Sequence, residues 1–144
     1  VNKAVELSTP EIKRRGVTCR QEFAEIDWEI IANRNQLVEV FLNLILNALD
    51  AMPNGGNLTI KGLREKPEHK KKTYLAVKVI DEGVGISKEH LSRIFDRYFT
   101  TKESGTGLGL AVVERIIAAH NGTLAVSSTE GEGTVFTVYF PILD

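Results

Sequence analysis

The sequence predicts an α/β two-layer sandwich, in which about three helices cover one face of a mixed, about five-stranded sheet. Segments with helical spacing alternate along the chain with strand-like segments, and no linker-like change of composition divides the 144 residues. A hydrophobic fraction of 42% and a charged fraction of 26% are ordinary for a globular protein. We therefore expect a single domain over residues 1–144.

Four segments have the apolar spacing of helices: residues 1–15, 35–52, 88–94 and 108–120. The second is the clearest, because Phe41, Ile45 and Leu49 recur at that spacing. The first ends at Gly16, and Pro10 inside it is expected to start a new turn or break the helix.

Five segments read as strands: residues 17–25, 58–63, 74–80, 123–128 and 135–140. The polar residues 64–73 suit a hairpin connection, and residues 95–105 show no clear period and are expected to be irregular. The single cysteine, Cys19, lies in the first strand, is expected to pack as a buried side chain, and permits no internal disulfide.

The bulk properties exclude several classes of function. A net charge of −1 gives no electrostatic basis for binding nucleic acid or a membrane surface. No apolar run approaches the roughly 18 residues of a membrane-spanning helix, and the first residues are not a signal peptide. Together with the lone cysteine, these features predict a cytoplasmic domain, whose parent protein can be anchored by a segment outside this chain.

A polar face runs along the clearest helix. Asn43, Asn47 and Asp50 are spaced i, i+4 and i+7 and therefore share one side. Two interpretations stay open: these side chains bond to neighbouring backbone, or the face looks into a ligand site. In the second case an Asn carbonyl oxygen is a hard ligand suited to Mg²⁺.

Two glycine-containing segments point to a nucleotide. The DEGVGI segment (residues 81–86) is either a common turn after a strand or a pocket floor whose carboxylate accepts a proton from an exocyclic amine, as on adenine. The GTGLGL segment (residues 105–110) opens a helix, whose N–H groups and dipole favour phosphate. Leu110 excludes a dinucleotide fingerprint, and the absence of a Gly-Lys pair excludes a P-loop.

The segment IFDRYFTTKESG (residues 94–105) combines aromatic residues with a polar run. One interpretation is a hydrophobic anchor followed by a solvated loop. The other is a mobile lid that brings a cation to the phosphates.

The four segments NLILNALDAM, DEGVGIS, IFDRYFTTK and GTGLGLAVV, in this order, resemble the N, G1, F and G2 boxes of the histidine-kinase catalytic domain. That domain belongs to the superfamily of gyrase, the Hsp90 chaperones, histidine kinases and MutL. The resemblance covers residues from about Gly16 to Asp144, and FTTK with NALDAM looks most like kinases of the nitrogen-regulator sensor type. It implies a Bergerat ATP-binding fold with a mobile lid over residues 88–105.

The resemblance also implies roles for matching positions. Asn47 matches the Mg²⁺ ligand, Asn43 a second residue on the phosphate side, and Asp81 the carboxylate that reads the adenine amino group. Thr134 matches a hydroxyl beside that carboxylate. The remaining matches to the adenine pocket, the lid and the phosphate border are Gly83, Gly85, Ile86, Phe99, Thr100, Lys102, Gly105, Thr106, Gly107, Leu108 and Gly109.

The chain departs from the family pattern at two positions. Many members carry a Lys or Arg where this chain has Asp50, and many carry an Arg near the position of Thr100. Lys102 is therefore the predicted contact to the γ-phosphate, and Asn43 and Lys102 are the predicted catalytic residues.

The function implied by the resemblance is transfer of the γ-phosphoryl group of Mg²⁺-ATP to a histidine on a separate helical dimerisation domain, with a response regulator downstream. Residues 1–15 would be the connector from that domain. His69, His90 and His120 are expected to be surface residues and not acceptors. Three alternatives stay open: an ATPase of the same superfamily, a serine-kinase relative, and a non-catalytic nucleotide sensor. The ATPase and the serine kinase usually have Glu at the position that matches Asn43.

Overall fold

The computed structural model describes residues 1–23, 29–68, 71–96 and 109–143. Its strands are β1 (Val17–Phe23), β2 (Gly56–Glu65), β3 (Tyr74–Asp81), β4 (Thr123–Thr129) and β5 (Gly133–Pro141). Its helices are α1 (Asn2–Arg14), α2 (Arg34–Asp50), α3 (Lys88–Leu91) and α4 (Gly109–Ala119). Every predicted element is present, with ends that differ by a few residues.

The five strands form one mixed sheet in the order β1-β2-β3-β5-β4. The β1–β2 pair is parallel, while the other three pairs are antiparallel. In the central β3–β5 pair, Asp81 at the end of β3 lies opposite Thr134 at the start of β5. This register brings a carboxylate and a hydroxyl to the same edge of the sheet.

The core lies between the sheet and the helices. Val79 and Phe136 from the sheet pack with Leu44 of α2 and Ile117 of α4, and all four are at most 2% exposed. Strand alternation and helical spacing therefore place their apolar sides in one shared layer, which gains roughly 25 cal/mol for each Å² of apolar surface removed from water. The predicted fold class, a sheet with helices on one face, is confirmed.

Helix α1 is continuous through Pro10, so the expected break does not occur. Proline removes one backbone N–H, which deprives the carbonyl of Glu6 of its helical partner. Glu6 lies on the exposed side of α1, where water can take that bond. The opposite side carries the buried residues Ala4, Ser8 and Ile12, and α1 packs against α2 through it.

Helix α3 is shorter than predicted. The Ser87 hydroxyl caps its start by accepting the His90 amide at 3.3 Å. The Arg93 amide already bonds to the His90 carbonyl, three residues back, so the α-helical pattern ends after one turn. The predicted extension of β1 to residue 25 falls on residues that lie outside the described part of the chain.

The description of His120 as a surface residue is wrong. It is partly buried, its Nδ1 lies 2.8 Å from the Ile116 carbonyl, and its Nε2 accepts the Asn33 amide at 3.0 Å. These two contacts tie the end of α4 to the start of α2. His90 is partly buried as well, and His69 lies outside the described residues.

Cys19 is half-buried and packs against the core, as its strand position predicted. Burial raises the pKa of its thiol, so the thiol stays protonated and is a poor nucleophile. Within the described ranges, no helix has the length and apolar character of a membrane-spanning segment.

Candidate nucleotide-binding site

The centre of the site is Asp81, a carboxylate only 5% exposed at the end of β3. Its Oδ1 accepts the backbone N–H of Gly83 at 2.8 Å. Burial raises the pKa of the Asp81 carboxyl, and hydrogen bonds from the backbone of Gly83 and Thr134 offset this only in part. An ionised carboxylate accepts about four hydrogen bonds, so Asp81 keeps acceptor sites for a ligand donor.

The loop after Asp81 rests on the end of α2. The Val84 amide donates to the Ala51 carbonyl at 3.0 Å. A Cβ at Gly83 would lie 2.5 Å from that same carbonyl oxygen, closer than any real contact, so only glycine lets the loop sit here. Gly85 has φ +73°, a left-handed conformation that glycine adopts readily.

Ser128 lies beside the candidate site and was not identified by the sequence analysis. Its Oγ accepts the Ile86 amide at 2.8 Å and lies 2.7 Å from Oγ1 of Thr134. It also donates to the Gly133 carbonyl at 3.0 Å. Since Ser128 has one hydroxyl proton, that donation leaves Thr134 as the donor of the hydroxyl pair, and so Ser128 sets the orientation of Thr134.

A sequence pattern for Ser128 did exist. Leu124 and Val126 are the inward side chains of β4, and period-two alternation places residue 128 on the same side. A polar residue at that inward position needs a partner, which in this chain is the pair Ile86 and Thr134.

The polar face of α2 is divided between two roles. Asn43 and Asn47 are half-buried, whereas the Asp50 carboxylate forms an ion pair with Arg15 at 2.9 Å. The Asn43 Nδ2 donates to the Glu39 carbonyl at 2.9 Å. Its Oδ1 faces the first residue of α4, since a Cβ on Gly109 would lie 3.2 Å from it. Asn43 thus bonds to neighbouring backbone, as the first interpretation of this face predicts, and Asp50 has an internal partner.

Asn47 has an amide that suits a metal ligand. Among the residues that the structure describes, no hydrogen bond to the Asn47 side chain is found. The same described ranges contain no cluster of three or more His, Cys, Asp or Glu residues that could hold a metal ion. A Mg²⁺ ion that is bound by one amide oxygen and by the phosphate oxygens of a nucleotide needs no such cluster. Asn47 therefore fits as the protein ligand of such an ion.

Helix α2 orders these groups along one line. Ala51 carries the loop after Asp81, and Asn47 and Asn43 lie about 6 and 12 Å further back along the helix axis at 1.5 Å per residue. Gly109 adjoins the far end of that line. The predicted residues Phe99, Thr100, Lys102, Gly105, Thr106, Gly107 and Leu108 lie outside the described residues.

The chain is similar to known proteins in both sequence and fold. A family described as histidine kinase-, DNA gyrase B-, and HSP90-like ATPase matches residues 32–144. The catalytic domain of histidine kinase ThkA has the same fold, with a TM-score of 0.80, 29% identity, and coverage of 97% of this chain and 90% of that one. Full-length ShkA in complex with AMPPNP gives a TM-score of 0.82 at 26% identity, covering 98% of this chain and 29% of ShkA.

Among curated proteins, sensor histidine kinase ZraS of Salmonella typhi is 36% identical over 143 residues, which is 99% of this chain and 30% of ZraS. The histidine-protein kinase AtoS of Escherichia coli is 38% identical over 146 residues, covering 99% of this chain and 23% of AtoS. The chain thus spans less than a third of either relative. It belongs to the family of histidine kinase-, DNA gyrase B- and HSP90-like ATPases, and it is an ATP-binding catalytic domain of the histidine-kinase kind.

The raised pKa of Asp81 predicts a pH-dependent cost to stability. The ionised carboxylate favours the unfolded state, so the cost is absent below the unfolded value of 3.8 and is complete above the higher folded value. Asp81→Asn should therefore increase the free energy of unfolding at neutral pH. In urea titrations, the gain should shrink as the pH falls towards 4. A gain that is the same at all pH values, or a loss at neutral pH, would contradict this.

Ser128→Ala should leave the Ile86 amide and the Thr134 hydroxyl without their partner. We expect a loss of about 1–3 kcal/mol in unfolding free energy and weaker binding of ADP by calorimetry. The matched control is Ser127→Ala, because Ser127 is exposed on the other side of β4. Equal behaviour of the two variants would show that Ser128 does not hold the loop.

Proposed function

We propose that this chain binds Mg²⁺-ATP along α2, with adenine at the loop after Asp81 and the phosphates near Gly109, and donates the γ-phosphoryl group to a histidine on a separate domain. The observation that supports this most strongly is the linear order on one helix. Along the helix come first the loop contact at Ala51, then Asn47, and then Asn43 with Gly109 beside it. This order matches that of the base, the metal ion and the phosphates in bound Mg²⁺-ATP.

Asp81 would recognise the base. Its free acceptor sites suit the exocyclic amine of adenine, directly and through water, and face a repulsive lone pair from the carbonyl of guanine. Gly83, Gly85 and Ile86 would form the walls of this pocket. The Thr134 hydroxyl, held by Ser128, lies beside the carboxylate and would order the water that joins it to the base.

The phosphates would lie at the start of α4. Asn43 would orient the reacting phosphate, and Asn47 would hold Mg²⁺, which neutralises phosphate charge and so favours transfer. Lys102 would supply the cation of the lid and contact the γ-phosphate. The remaining proposed contacts of the lid and of the segment before α4 are Phe99, Thr100, Gly105, Thr106, Gly107 and Leu108.

The acceptor histidine would come from a helical dimerisation domain. The imidazole nitrogen would form the bond to phosphorus as the bond to the bridging oxygen breaks, and ADP would leave with that electron pair. His120 cannot serve, because both of its ring nitrogens are engaged in the fold. ZraS is named a sensor histidine kinase and AtoS a signal transduction histidine-protein kinase, and both are more than three times as long, which leaves room for such a domain.

Residues 1–144 would form one catalytic domain, with residues 1–15 as its connector, and a response regulator would receive the phosphoryl group from the histidine. NALDAM and FTTK support a kinase of the nitrogen-regulator sensor type. We propose a cytoplasmic location for the domain.

Asn47→Ala should weaken Mg²⁺-ATP binding by at least tenfold while changing stability little, because the side chain is only half-buried and would be a metal ligand. Isothermal calorimetry with and without Mg²⁺ measures this. Asn54→Ala, in the exposed turn after α2, is the matched control. ATP binding that is Mg²⁺-dependent and unchanged by Asn47→Ala would overturn the metal placement.

The chain alone should bind ATP without phosphorylating itself or hydrolysing ATP at a useful rate. Asn43 occupies the position at which the ATPase relatives have Glu, and a general base is typically worth about 10² to 10⁴ in rate. Incubation with γ-labelled ATP should label only an added helical histidine domain of the parent, as an acid-labile, base-stable phosphoramidate. Rapid phosphate release without that domain would support an ATPase. Acid-stable label on this chain would support a serine or threonine kinase. ATP binding without any phosphoryl transfer would support a nucleotide sensor.

A further inference from the structure

Arg15 lies at the corner where α1 ends, α2 ends and the sheet begins. It follows the last residue of α1, and its guanidinium reaches the end of α2. One arm, Nη1, donates to the Leu49 carbonyl at 3.2 Å, and the other, Nη2, lies 2.9 Å from the Asp50 carboxylate. The Arg15 side chain is 25% exposed and that of Asp50 is 32% exposed, so the pair is better shielded from water than an ordinary surface ion pair.

The contacts of Arg15 adjoin the residue that carries the loop after Asp81. Leu49 and Asp50 are followed directly by Ala51, whose carbonyl accepts the Val84 amide and excludes any side chain at Gly83. The last turn of a helix leaves its carbonyls without helical partners, and it frays unless other donors bond to them. At Leu49 those donors are Arg15 and the Met52 amide.

The backbone at this corner is also closely packed. A Cβ on Gly55 would lie 2.8 Å from the Gly16 carbonyl, so the turn after α2 and the turn after α1 touch directly. The first β1–β2 pair, Val17 with Gly56, follows at once. Because these two turns are in direct contact, a displacement of α1 at Arg15 would also displace the end of α2.

We propose that Arg15 is a positioning residue for adenine binding: its two bonds fix the last turn of α2, and that turn fixes the loop that carries Gly83 and Val84. This inference depends on the proposed nucleotide site. It gives α1, which precedes the family match at residues 32–144, a direct mechanical connection to the base pocket. It also gives Asp50, one of the two positions at which the chain departs from the family pattern, a structural partner.

The test compares Arg15→Met with Arg14→Met, its neighbour on α1. Arg14 is 66% exposed and bonds to Glu11, which also bonds to Arg15, so its removal takes no hydrogen bond directly from α2. Arg15→Met should weaken ATP and ADP by the same factor, about fivefold, because the base pocket and not the phosphate end is affected. It should also speed hydrogen exchange of the Val84 amide, whose partner is the Ala51 carbonyl.

A double-mutant cycle separates the ion pair from general destabilisation. Asp50→Asn should also weaken both nucleotides, and the double variant should be no weaker than Arg15→Met alone, because the two groups act together. Unchanged Val84 exchange, or equal ADP affinity in the Arg14 and Arg15 variants, would overturn the inference while leaving the nucleotide site intact. A wild-type chain that binds no ATP would instead overturn the proposed function.

Discussion

Burying the Asp81 carboxylate costs free energy, and much of the surrounding structure serves to hold it in place. Its two backbone donors come from Gly83 in the following loop and from Thr134 on the neighbouring strand. The loop can approach only because residue 83 has no side chain, and the strand pair is fixed by the β3–β5 register. An acceptor that is buried and rigidly held can discriminate between ligands strongly, because a wrong partner leaves it unpaired.

Helix α2 connects the loop after Asp81 to the rest of the molecule. Its end supports that loop through Ala51, Asn47 lies one turn earlier, and Asn43, near the middle of the helix, meets the start of α4. His120, which follows the end of α4, bonds to Asn33 at the start of α2 and so joins these two helix ends. The proposed base pocket and the proposed phosphate end would thus be built on one helix, which would fix the distance between them.

The sequence predicted the fold, and it indicated Asn43, Asn47, Asp81 and Gly83 as candidate site residues because each lies in a local motif, while Thr134 came from the family resemblance. It did not predict the contacts that depend on elements meeting in space. Arg15 and Asp50 are 35 positions apart, and Ser128 meets Ile86 across 42 positions, so no local pattern pairs them. Pro10 was misjudged because the sequence did not show that the bond it removes faces solvent.

The most direct test of the account is a comparison of ATP and GTP affinities for the wild-type chain and Asp81→Asn by competition calorimetry. If the buried carboxylate reads the base, ATP should bind at least a hundredfold better than GTP, and Asp81→Asn should remove most of that preference. Asn47→Ala should weaken the two triphosphates equally and keep the preference. Equal affinity of the wild-type chain for ATP and GTP, or a preference that survives in Asp81→Asn, would contradict the account.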